Sequence, residues 1–203
     1  KATVTGDWNA AIFTSKAQDA AVTSYDMTNV VQLSEQPVAA NENALFFTAA
    51  PIEGSANVVA NGVCDSLLIH TRSEFASAKA FTARKAVLVL DDAKAGEWND
   101  VFMPFSAPLP YGMQGRVVNT IERSRLTVSN VREAEAMKPL LYLADREGLN
   151  TIEATDVALS TDTVGSLVDG FWKGSTLKTS LSRQASLLKT PATRLTAFVA
   201  NEK

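Results

Sequence analysis

From Arg116 onward the chain alternates short β-branched runs with turn residues, and this pattern constrains the fold more than any other feature. "GRVVNTI" and "RLTVSNV" are separated only by the polar "ERS", which predicts two antiparallel strands joined as a hairpin. "KPLLYLA" follows, with Pro139 suited to the first position of a strand, where no ladder donor is lost. "NTIEATDVALS", "DGFWKGSTLKTSL" and "TRLTAFVA" complete the series. Runs of this length, punctuated by Gly, Asn, Asp and Ser, predict an antiparallel sandwich or barrel. One stretch competes. The Ala, Glu and Leu content of "NVREAEAMKPLLYLADREG" favours helix, but Pro139 would interrupt it, leaving a short helical turn at Glu133 to Met137.

Residues 1–85 behave differently. Short apolar clusters recur in "VTSYDMTNVV", "NALFFTAA", "ANVVANGV" and "SLLIHT", each followed by a polar or Gly/Asn/Pro break. Such clusters suit a few rungs of a strand-turn repeat, of β-helix or leucine-rich-repeat type, each rung burying its face on the next. Their spacing is irregular. The expected fold is therefore mainly β: a short stack of strand-turn rungs over residues 1–85, packed on an antiparallel β-sandwich over 86–203. No Pro/Ser/Gly linker separates the halves near Arg84, so they are expected to share a continuous hydrophobic interface.

Between them lies "GEWNDVFMPFSAPLPYG", which places Pro104, Pro108 and Pro110 just after a strand-like run. Alternation puts Trp98, Asp100, Phe102 and Pro104 on one side and Asn99, Val101, Met103 and Phe105 on the other. Both sides carry large apolar groups, so the strand is expected to be buried on both faces, between the sandwich and the rung stack. The prolines then end the ladder and hold the exit extended.

With 46% hydrophobic and 20% charged residues, the 203-residue chain can bury a real core. Its 19 basic and 22 acidic residues lack the basic excess of a nucleic-acid binder, so no nucleic-acid partner is expected. The longest apolar runs, such as Ala86 to Leu90 and Val63 to Ile69, are strand-sized, far short of the ~20 residues of a membrane-spanning helix. The chain opens on Lys1 with no apolar leader, which suggests a trimmed chain whose targeting signal has been removed. Cys64 is the only cysteine, so no internal disulfide forms, and its apolar flanks read as a small buried hydrophobe.

Motifs for catalysis are missing. One histidine and one cysteine exclude two-His and cysteine-rich metal sets, and no P-loop, dinucleotide fingerprint or G-x-S-x-G elbow occurs. Ser-His-Asp chemistry would have to use His70, which reads more simply as a structural histidine. The carboxylate pairs Asp91/Asp92, Glu133/Glu135 and Asp145/Glu147 lie in polar, turn-like contexts and read as solvated charges. Asp156 and Asp162 are too sparse for a calcium loop. No catalytic residue, metal site or cofactor is assigned. Among the aromatic residues, Trp98 at the entry to an apolar strand reads as core. Trp172, beside Phe171, belongs to an adjacent pair of which one ring is core and the other partly exposed, which makes Trp172 the ligand-binding candidate.

Three segments in order resemble a β-rich C-terminal domain of secreted and surface proteins of Bacteroidetes, often found with BspA-type leucine-rich repeats. They are "AFTARKAVLVL" leading into "WNDVFMPFSAPLP", then "EAEAMKPLLYLA", then "GFWKGSTLKTSL" with the closing "TRLTAFVA". Asp100, Met103, Met137 and Leu140 depart from the family's usual residues at their positions. The resemblance implies a non-catalytic module of a secreted or cell-surface protein, with an adhesin-like binding or display role. Its partner would be a host or bacterial surface protein or a glycan. A carbohydrate-recognition module is the alternative, and a glycoside hydrolase using two carboxylates is the most remote. The family pattern brings no catalytic residue.

Overall fold

Every regular element among the described residues is a strand. The computed structural model describes residues 2–8, 19–33, 37–122, 125–144, 146–167, 172–177 and 197–199. In chain order the strands are β1 (Ala2–Trp8), β2 (Ser24–Leu33), β3 (Leu45–Thr48), β4 (Val58–Ala60), β5 (Val63–His70) and β6 (Phe81–Ala93). They continue with β7 (Trp98–Phe102), β8 (Ala107–Pro108), β9 (Gln114–Glu122), β10 (Arg125–Val131) and β11 (Glu133–Ala134). The last are β12 (Pro139–Leu143), β13 (Gly148–Leu159), β14 (Val164–Leu167), β15 (Trp172–Ser175) and β16 (Ala197–Val199). The chain is mainly β, as its alternating runs predict.

A seven-stranded sheet carries the order β1-β2-β3-β4-β5-β6-β13. Its first four strands pair in parallel, so that Phe46 lies opposite Tyr25 on one side and Val58 on the other. Parallel strands tend to be covered on both faces, and the neighbours Phe46 and Phe47 accordingly point into different apolar clusters. On the smaller cluster's side the Tyr25 and Phe46 rings stack at 5.3 Å. Asn61 (φ 50°) and Gly62 (φ 78°) then form a tight turn that reverses the chain, and β5 returns antiparallel to β4. Two successive residues with positive φ are what a type I′ hairpin needs, and Asn-Gly adopts them at low cost.

Buried asparagines fix the connections between the parallel strands. Asn43 donates from Nδ2 to the carbonyls of His70 and Ser73, and accepts from the His70 N–H at 2.7 Å. Asn57 donates to the carbonyls of Glu42 and Leu68 and accepts from the Leu68 N–H. Each amide replaces ladder bonds that a turn cannot make, which removes the penalty of burying those backbone groups.

A four-stranded antiparallel sheet, order β10-β9-β12-β7, forms the second layer. The β9–β10 hairpin and the strand starting at Pro139 agree with the sequence expectation. One apolar cluster joins Leu67, Ile69, Leu88 and Ile152 of the larger sheet to Val101, Leu140 and Tyr142 of the smaller one. The boundary expected between residues 85 and 86 falls inside β6, which pairs with β5 on one edge and β13 on the other.

Val101 to Phe105 are all buried. Val101, Met103 and Phe105 enter the shared core, while Phe102 faces the other way, against Gly165 of β14 and Gly174 of β15. Burial on both faces therefore holds for Val101 to Phe105 but not for Trp98 to Asp100, and the cover over Phe102 is the three-stranded sheet β14-β15-β16 rather than the N-terminal strands. The helical turn expected at Glu133 to Met137 does not form. Glu133 and Ala134 instead pair with Pro108 and Ala107, and Met137 takes a left-handed φ of 57° with its N–H bonded to the Met103 carbonyl. Here tertiary pairing overrides the helix propensity of Ala and Glu.

Candidate functional site

Three places gather chemistry-bearing side chains. The first lies at the C-terminal ends of β5 and β6. His70 Nδ1 sits 2.9 Å from Asp91 Oδ1, while the Thr71 hydroxyl and the Arg72 N–H donate to Asp91 Oδ2. Arg72 grips Glu42 with both ends of its fork, Nε to Oε1 at 2.7 Å and Nη2 to Oε2 at 2.6 Å. The Ser73 hydroxyl also donates to Glu42 Oε1. Arg72, hydrogen-bonded to Glu42, holds that carboxyl down to about 2, against the opposing effect of burial. The same pair, with Asp91 nearby, raises the Arg72 pKa.

This network corrects one expectation. Asp91 is not a solvated turn residue, since it lies in β6 with a side chain only 5% exposed. Asp92 is its strand neighbour and points to the opposite face, so the two carboxylates cannot act together. His70 has the carboxylate that would orient a catalytic histidine, but the nearby Ser73 hydroxyl is given to Glu42. Among the described residues no hydroxyl or thiol bonds to the His70 ring. The arrangement clamps the loop at residue 42 to β5 and β6.

The second place is the outer face of the four-stranded sheet. Register sets Asp100, Leu141, Arg116 and Asn130 in one row, with Trp98, Leu143 and Gln114 in the next. Trp98 was expected in the core, but it is 40% exposed. It begins an edge strand, and β14 and β15 cover only the far end of that face, over Phe102. The Arg116 guanidinium lies over the indole, 4.2 Å from its centroid, and Arg116 Nε donates to Asn130 Oδ1 at 3.1 Å. Such a contact is weak when exposed, but with the bond to Asn130 it gives the guanidinium a second point of attachment.

The third is an open groove of about 410 Å³ along β13, lined by Lys85, Glu153, Thr155, Ser106, Pro108 and Glu133 among others. Glu133 and Glu153 share its lining, but both are exposed and Glu153 is paired with Lys85 at 3.3 Å. Glu135, the partner that sequence spacing offered for Glu133, is outside that lining.

Trp172 opens β15 opposite Leu167 and Val199, while its side chain and all of Phe171 lie outside the described residues, as does Asp145. Cys64 is fully buried, its thiol pushed up to about 11 by desolvation. Among the described residues no three His, Cys, Asp or Glu side chains gather as a metal site. Among them, too, no helix is long and apolar enough to cross a membrane. Sequence reasoning missed the Glu42–Arg72 and Trp98–Arg116 pairs, because neither spacing carries a local signal.

No family model, curated protein or solved structure matches the chain.

Proposed function

We propose that the chain is a non-catalytic module of a secreted or cell-surface protein, with an adhesin-like binding or display role. In this reading the parallel strands act as a short rung stack, and the remaining strands form an antiparallel sandwich against it. The parallel ladder of β1 to β4 supports the first part, and the core shared by the two larger sheets supports the second. A non-catalytic reading is supported by His70 Nδ1 and the Ser73 hydroxyl, which serve structural bonds to Asp91 and Glu42.

The observation that carries a binding role is Trp98, a large ring left 40% exposed on a sheet face and held by Arg116. Exposed aromatic residues backed by arginine are enriched where surfaces meet partners. The partner is a host or bacterial surface protein or a glycan. The test is binding of fluorescent protein to host and bacterial cells, with Trp98→Ala as the control. Binding that Trp98→Ala abolishes supports the reading, whereas equal binding by both proteins, or none, contradicts it.

Carbohydrate recognition is the second reading, favoured by the same ring and by two amides on the same sheet face, Gln114 in its row across Leu143 and Asn130 bonded to Arg116. Pretreating the cells with glycosidase rather than protease separates a glycan partner from a protein one.

A further inference from the structure

The geometry points to Trp98 and Arg116 as a subsite for a carboxylate-bearing sugar unit, such as a uronic acid within an oligosaccharide. This rests on the carbohydrate reading above and adds the charge and shape of the ligand. Arg116 is held twice, by the indole whose centroid lies 4.2 Å from its Cζ and by the bond from Nε to Asn130. Both contacts leave the terminal nitrogens of the fork for another partner, and among the described residues no carboxylate pairs with them. The contrast with Arg72 and Arg84 is direct, since those guanidinium groups are bonded to Glu42 and Asp65. A guanidinium held in place without an anion is preorganised for bidentate binding of one.

Shape and two neighbours narrow the class. The carboxylate is planar, which matches the fork. The indole surface outside the guanidinium contact offers an apolar patch to the C–H face of a pyranose, and Gln114 sits in the adjoining row to meet hydroxyls.

The test titrates the full chain with a glucuronic-acid oligosaccharide, its carboxyl-reduced neutral counterpart and a phosphorylated counterpart, followed by calorimetry. The acidic sugar is expected to bind at least ~10-fold tighter than either of the others, the scale of a lost charge-assisted bond. Arg116→Gln is expected to remove that preference. Arg116→Lys keeps the charge without the fork and should lose most of it. Near-UV circular dichroism and melting curves identify any variant that misfolds. Equal binding of acidic and neutral sugars overturns the carboxylate subsite while leaving carbohydrate recognition standing. Stronger binding of the phosphorylated sugar overturns the choice of anion. No binding of any sugar by the wild-type chain overturns the subsite and the carbohydrate reading together, and leaves the display role.

Discussion

A methyl group at Gly174 would lie 2.0 Å from Cδ2 of Phe102 and 2.6 Å from its Cγ. Phe102 is fully buried in β7, so the ring cannot swing away into solvent. Gly174→Ala should therefore destabilise the protein by about 1–3 kcal/mol through overpacking. Urea unfolding reads this as a lower midpoint at unchanged slope. A wild-type midpoint would mean that β15 does not rest on Phe102.

Phe105 stands on the other side of the same segment, fully buried in the shared core. Phe105→Ala should cost about 3–5 kcal/mol, the usual penalty for truncating a buried aromatic residue. Stability within error of the wild type would remove this segment from the core and make it a contact surface.

Acid should weaken the clamp around Arg72. Glu42 has a folded pKa of about 2 against an ordinary 4.5, so the fold favours its ionised form. Its contribution is full above the ordinary value and is lost as pH falls from about 4.5 towards 2. Unfolding free energies of wild type and Glu42→Gln should therefore converge across that window, and the gap above it should shrink with added salt, because the pair is partly exposed. A gap that does not change with pH would show that Glu42 contributes by packing rather than by charge.

Cys64 offers a simple probe of the larger sheet. Fully buried and with a thiol pushed up to about 11, it should resist a thiol reagent in the native protein and react once urea opens the fold. Rapid native labelling would contradict the packing of β5 against β6. Reductant should leave stability unchanged, since a lone cysteine forms no internal bridge.

Most strands were legible because β-branched alternation and turn residues are local signals. The β9–β10 hairpin and the start of β12 at Pro139 follow from them directly. Asn61-Gly62 carried an equally local hairpin signal, which marks the switch from parallel to antiparallel pairing. Alternation says which residues share a face, but not what covers that face. Trp98 and Phe102 lie on one side of β7, yet one is exposed and the other sealed under Gly174. The pairing of His70 with Asp91, and of Arg72 with Glu42, joins residues 21 and 30 positions apart, so only the assembled sheet brings them together.

The asparagine bonds set the order of events on a ribosome. Asn41, Asn43 and Asn57 emerge before the partners at Leu68, His70, Ser73 and Glu74, with only the Glu42 carbonyl that Asn57 bonds lying upstream of its asparagine. While the chain is being made, β2, β3 and β4 therefore present apolar faces and unanchored turns until residue 74 has left the exit tunnel. Contacts at such separation form late and slowly. The earlier strands are thus locked only after their successor arrives, which leaves their apolar faces open to aggregation in the interval.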